Sequence, residues 1–221
     1  MESAITLPMV VFLVLGTLQL FLMLHARIMT QYAAFRATRA GSVSQGNCER
    51  MKHAAIAALL PTVTRTDSPA RLGSAFKKFK DNDYAAAGLP NFTDKMIWLI
   101  RENPTNIGGG EDVDFDQGGG PMRLEMRLVY WYPMQIPFAN WVMTKMFRAE
   151  FAIEDYTASN PLLEAEKNAD WVAGKNTMEG LIRGEYANRS QKEYVFPIAT
   201  SYSMRMMTPA KPENFTSQRC D

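Results

Sequence analysis

The chain has 221 residues with 24 basic against 23 acidic side chains and a formal net charge of +1, so it lacks the cationic surplus of a nucleic-acid-binding surface. The roughly 180 residues beyond its N-terminal portion are enough for one domain with a modest core. No nucleic-acid partner is expected.

The first element is an apolar run. From Ser3 to Leu24 no side chain is charged, and Glu2 stands alone ahead of it. About 22 such residues make a helix of roughly 33 Å, enough to cross a hydrocarbon core of about 30 Å. A cleaved signal peptide fits poorly, because the segment has no basic n-region and Leu24-His25-Ala26 is not a small-x-small cleavage site. Membrane lipid is therefore an expected partner through residues 3–24. Pro8 inside the run removes one helical hydrogen bond and can loosen or kink the span.

The helical pattern continues past Leu24 without glycine or proline until Gly41, which predicts one helix from about Ser3 to Ala40. On its upper half Leu24, Ile28, Tyr32 and Phe35 form an apolar stripe, and Ala26, Ala33, Ala37 and Gly41 form a stripe of small residues that permits close approach of another backbone. Two readings stay open: the stripes pack on the protein's own globular part, or helix packs on helix between subunits.

The string ESAITLPMVVFLVLGTLQLF followed by HARIMTQYAAFRATRAGSV resembles the N-terminal segment of TadE-like pseudopilins, minor pilin-like proteins of the tight-adherence (Tad) type IV pilus machinery. Glu2, Leu7 and Pro8 match the family's Glu and Leu-Pro pattern, and Met204-Arg205-Met206 in FPIATSYSMRMMTP resembles its late strand. The resemblance implies a non-enzymatic structural subunit, with other pilin-like subunits and the assembly machinery as partners in a homo- or hetero-oligomer. It implies that Glu2 pairs with the N-terminal amine of an adjacent subunit. It also implies a location in the bacterial inner membrane with the globular part exported to the periplasm, or in a surface pilus. A family leader ending in Gly normally precedes the processed N-terminus, whereas here Met1 alone precedes Glu2. His25, Arg27, Arg36 and Arg39 just after the span point the other way under the positive-inside rule, so the exported placement rests on the resemblance and on cysteine usage. Two alternatives remain: a membrane-anchored extracytoplasmic binding module that does not polymerise, and a major subunit of an extracellular filament.

The expected organisation is a transmembrane or assembly helix at 1–24, a helical stalk at 25–43 and an exported α+β globular domain at 44–221. Asn47 caps a predicted helix from Cys48 to Leu60 that turns Met51, Ala54, Ala55, Ala58 and Leu59 inward and stops at Pro61. Ser68-Pro69 opens a second helix with Leu72, Ala75, Phe76 and Phe79 inward, and a short third helix is expected after Thr93. MRLEMRLVYWY is the clearest strand, with Met122, Leu124, Met126, Leu128, Tyr130 and Tyr132 alternating against Arg123, Glu125, Arg127, Val129 and Trp131. A second strand at Tyr194 to Met206 is placed to pair with it. Between them Phe138, Trp141, Val142, Met146 and Phe147 predict a short amphipathic helix, read first as core and otherwise as a contact surface for a neighbouring subunit or the bilayer. The strands come from alternation. The α+β shape, a long N-terminal helix packed on a small antiparallel sheet with additional helices, comes from the pilin-like resemblance.

Cys48 and Cys220 form a candidate disulfide, the alternative being two free thiols in a reducing compartment. His25 and His53 have no cysteine or carboxylate at metal-ligand spacing, and no nucleophile elbow, Walker loop or zinc-protease motif occurs. The one site-like constellation is GGGEDVDFDQGGG, where Asp112, Asp114 and Asp116 can offer oxygens to Ca²⁺, or form an acidic surface loop with no cation. No other cofactor is expected.

Overall fold

In the computed structural model the described residues are 2–89, 91–105, 107, 122–151 and 178–220. Helix α1 spans Glu2–Val43, α2 Cys48–Leu59, α3 Pro69–Phe79, strand β1 Ile97–Asn103, β2 Arg123–Pro133, α4 Ala139–Phe151, α5 Met178–Arg189 and β3 Val195–Arg205. This is an α+β fold with a three-stranded antiparallel sheet in the order β1-β2-β3. The chain divides into two compact units: Met1–Phe21 with Pro133–Pro197, and Leu22–Tyr132 with Ile198–Asp221.

The larger unit is built on the sheet. β1 and β2 pair with Ile97 opposite Tyr130, Leu99 opposite Leu128 and Arg101 opposite Met126, and the register shifts between Arg101 and Asn103. On β2 the expected face is buried at Leu124, Met126, Leu128, Tyr130 and Tyr132, but Val129 and Trp131 are buried too, so the second half of the strand is covered on both faces. The Trp131 ring meets Trp98 edge-on at 5.1 Å, and the Tyr84 hydroxyl donates to the Trp131 carbonyl at 2.7 Å.

Helices α2 and α3 begin where their caps dictate. Asn47 Oδ1 accepts the Arg50 N–H at 3.0 Å, and Ser68 Oγ accepts the Arg71 N–H with Pro69 as the first helical residue. Met51, Ala55, Ala58 and Leu59 of α2 are buried, while on α3 Ala75 and Phe79 carry the burial and Leu72 stays exposed.

Two expectations are corrected. The segment after Thr93 is not a helix but strand β1, whose first five residues, Ile97–Arg101, are all buried. A short apolar run such as IWLI fits a fully buried strand as well as a helix, and pairing with β2 decides between them. The second correction concerns α4: Ala139, Met143 and Thr144 face inward, whereas Phe138, Trp141 and Met146 are exposed, so they do not form core.

β1 would be a free sheet edge if the C-terminal tail did not cover it. Arg101 donates its N–H to the Gln218 carbonyl at 2.8 Å and Cys220 donates to the Leu99 carbonyl at 2.9 Å, extending the hydrogen bonding past β1. The Arg101 guanidinium donates to the carbonyls of Asn214 and Ser217 and lies 4.3 Å from the Phe215 ring centroid. Burial lowers its pKa to about 10, which still leaves it charged at neutral pH. Cys48 and Cys220 are bonded, with their Cα atoms 5.1 Å apart and a sequence separation of 172.

The turn from α1 into α2 closes against the same tail. Gly46 donates its N–H back to the Gly41 carbonyl at 2.9 Å, and both Gln45 and Gly46 have positive φ. A Cβ on Gly46 would collide with the Phe215 ring. Gly46→Ala is therefore expected to destabilise the fold by about 1–3 kcal/mol, from overpacking and left-handed backbone together. Urea unfolding of the detergent-solubilised chain checks this, with an unchanged midpoint as the contrary result.

Candidate membrane and assembly surface

The N-terminal portion of α1 is apolar on its outside. Leu7, Met9, Val10, Leu13, Leu18 and Phe21 are all exposed, and only 6% of the helix's 18-residue apolar window is buried inside the molecule. The core helix of a soluble protein would be mostly covered, so an uncovered surface of this length suits a lipid bilayer or a bundle of like helices. The polar side chains within it are only partly met, the buried Gln19 Nε2 having no partner among the described residues. Thr17 Oγ1 donates to the Val14 carbonyl at 2.8 Å, and Pro8 is accommodated inside the helix. Glu2 is the first helical residue; its side chain lies outside the described residues.

Above the span the helix has two unlike faces. Ala26, Ala33 and Ala37 have no exposure, and a Cβ on Gly41 would run into Met51 and Leu124, so the small-residue stripe is packed within the monomer against its own domain. Buried hydroxyls on this face are satisfied along the helix, Thr30 donating to Ala26 O at 2.7 Å and Thr38 to Ala34 O at 2.8 Å. The other face carries Leu24 and Ile28, each 57% exposed, and Tyr32 at 46%. Arg36 lies over the Tyr32 ring, 5.8 Å from its centroid, and Phe35 packs edge-on to Tyr202 at 5.4 Å. The sequence carries both stripes but does not say which is sealed; the crowding of Met51 and Leu124 on Gly41 does.

In the smaller unit the span contributes Gln19 and Phe12, which sequence reasoning had missed, to contacts with Ile136 and Phe138. Gln19 is fully buried, and its Oε1 accepts the Ile136 N–H at 3.1 Å. Phe138 packs edge-on to Phe12 with ring centroids 5.8 Å apart. A glutamine inside an otherwise apolar run was the available signal, since a polar amide there needs a partner.

The candidate cation residues Asp112, Asp114 and Asp116 lie outside the described residues. Among the described residues no group of three or more His, Cys, Asp or Glu side chains is gathered to hold a metal.

Among the described residues the α+β fold thus has one helix, at the N-terminus, that is long and apolar enough to cross a membrane. The family model of TadE-like protein matches residues 1–39, which is most of α1, so this part of the chain is similar to that family. No curated protein and no solved structure is significantly similar to the chain.

Because the small stripe is sealed, replacing Ala33 and Ala37 together with Leu is expected to lower the stability of the monomer itself, by about 1–3 kcal/mol per site. Ile28→Ser, on the open face, is expected to leave it within about 0.5 kcal/mol. Thermal unfolding in detergent separates the two, and equal Tm values for both variants would contradict this assignment of faces.

Proposed function

We propose that the chain is a non-enzymatic, pilin-like structural subunit of a Tad-type pilus or related secretion filament. In this reading residues 1–24 store the subunit in the inner membrane and later pack in the filament core, 25–43 form the stalk, and 44–221 form the exported domain. The observation that carries it is the uncovered apolar surface of α1, which runs on from the span into Leu24, Ile28 and Tyr32. That surface needs lipid when the subunit is stored and neighbouring helices when it is assembled.

The remaining residues take roles consistent with that cycle. Ala26, Ala33, Ala37 and Gly41 serve assembly by seating the domain close on one side of the helix, which leaves the other side open to neighbours. Pro8 loosens the span for transfer from bilayer to filament. Glu2 pairs with the terminal amine of an adjacent subunit, a contact favourable in an apolar surrounding only when both charges are partnered. The Cys48–Cys220 bond supports an exported domain, because such bonds persist outside the reducing cytoplasm. A periplasmic domain would keep it oxidised.

A second reading has an observation of its own. With the small-residue stripe sealed in the monomer, the chain retains fewer positions at which another helix can approach closely. That favours a membrane-anchored binding module that does not polymerise.

Two measurements decide between these. The N-terminal peptide is identified by mass spectrometry in a sheared cell-surface fraction and in washed membranes, and a processed N-terminus enriched in the sheared fraction is the expected result. The double variant Ile28→Ser with Tyr32→Ser should then deplete the sheared fraction while membrane levels hold. Protein confined to membranes in the wild type would favour the anchored module instead.

Removing the disulfide with Cys48→Ala and Cys220→Ala together is expected to cost about 2–5 kcal/mol of stability and to release the tail from β1. Faster proteolysis after Phe215 in the variant, seen by mass spectrometry, checks it; an unchanged cleavage pattern would contradict the tail's dependence on the bond.

A further inference from the structure

The smaller unit places a second apolar surface beside the span. Trp141, Val142, Lys145 and Met146 lie on one side of α4, and Phe138 stands immediately ahead of its first turn. Phe138 and Trp141 are each 49% exposed and Met146 64%. The opposite side packs inward through Ala139, Met143 and Phe147, whose ring lies 4.5 Å from Phe196. This outer face is aromatic and apolar, with Lys145 as its one charge and Arg148 at its flank, the composition of a helix that lies in a membrane interface.

Three observations say what covers it. Phe12 lies near the centre of the uncharged run from Ser3 to Leu24, so a ring in edge contact with Phe12 shares its depth when the run is in lipid. Backbone donors of the turn into α4 are also met by protein, although the buried Gln19 Nε2 is not: Met134 N–H donates to Tyr194 O, Ile136 N–H to Gln19 Oε1, Asn140 N–H to Ile136 O and Trp141 N–H to Asn140 Oδ1. Irregular backbone at membrane depth is tolerated only when its polar groups are met by protein, and a buried glutamine supplied by the span itself is such a partner. Finally, the exposed Phe138 has φ 68°, a left-handed conformation uncommon for a bulky side chain.

We infer that Phe138 and the Trp141–Met146 side of α4 form a second membrane-inserting element, which enters the bilayer beside the N-terminal span and is held there by Gln19 and Phe12. The occupant is phospholipid: acyl chains meet Phe138, Trp141 and Met146, and Lys145 and Arg148 reach anionic headgroups. The inference rests on residues 3–24 being in a membrane and does not depend on polymerisation.

The test uses the full chain reconstituted in phosphatidylcholine–phosphatidylglycerol vesicles, with flotation first to establish that it is anchored. Tryptophan emission is then quenched with lipids brominated along the acyl chains, or with aqueous acrylamide, for the wild type and Trp141→Phe. Trp141 is one of four tryptophans, so the difference between the two proteins is its own signal. The expected result is that the bromine-quenched component is lost in Trp141→Phe while the acrylamide-quenched component is unchanged. A benzophenone amino acid at position 138 should also cross-link phospholipid on irradiation. Loss of the acrylamide-quenched component instead, with no lipid cross-link, would make the face aqueous and overturn the inference. Shielding of Trp141 from both quenchers, with cross-linking of position 138 to a second copy of the chain, would overturn it in favour of an intersubunit contact. Failure to float would instead remove the anchor on which both this inference and the pilin-like reading depend.

Discussion

The apolar surface of α1 is more than the chain covers by itself. A helix of 42 residues is far longer than the strands it accompanies, and over its most apolar 18 residues almost nothing is buried. Hydrophobic surface left in water is unfavourable in proportion to its area, so the helix must find lipid or other helices. The domain covers what it can reach: Ala26, Ala33 and Ala37 on one side, with Gly41 under Met51 and Leu124. Small residues belong on that side because side chains of ordinary size would hold the domain away. What is left over on α1 is the surface available for function.

The C-terminal tail secures the domain's other exposed feature. The sheet ends on β1, an edge strand whose free N–H and C=O groups would invite pairing with another chain. Hydrogen bonds to Gln218 and Cys220 close that edge, Arg101 grips the carbonyls of Asn214 and Ser217, and the disulfide fixes the tail to the start of α2. The tail also packs, with Ala210, Phe215 and Cys220 buried. Among the contacts that order it are the covalent bond, the buried Arg101 guanidinium, Arg219 over the Trp98 ring, and the ring of Phe215 set against a glycine that leaves room for it.

Elements with a strong repeating signal were legible in the chain. Asn47 and Ser68-Pro69 mark helix starts that the structure reproduces, and the alternation in MRLEMRLVYWY marks β2. β1 was not legible, because IWLI is equally apolar at every position and only its partner strand tells strand from helix. The outward turn of α4 was not legible either: Phe138, Trp141 and Met146 are the residues a core would use, and nothing local distinguishes a face turned toward protein from one turned away. Gln19 was passed over because its partner, the Ile136 N–H, is far along the chain.

By itself the sequence determined that a membrane-length apolar helix begins the chain, that it runs on without a break into a domain of mixed helices and strands, and that its upper half bears one bulky and one small stripe. These follow from composition and periodicity, which act over a few neighbouring residues. Only the tertiary structure decided that the small stripe is the sealed one, that the tail closes the sheet edge, and that a glutamine within the span holds the turn into α4. Each of those depends on which distant residues come within reach, and so on packing and hydrogen bonding between segments that no local pattern encodes.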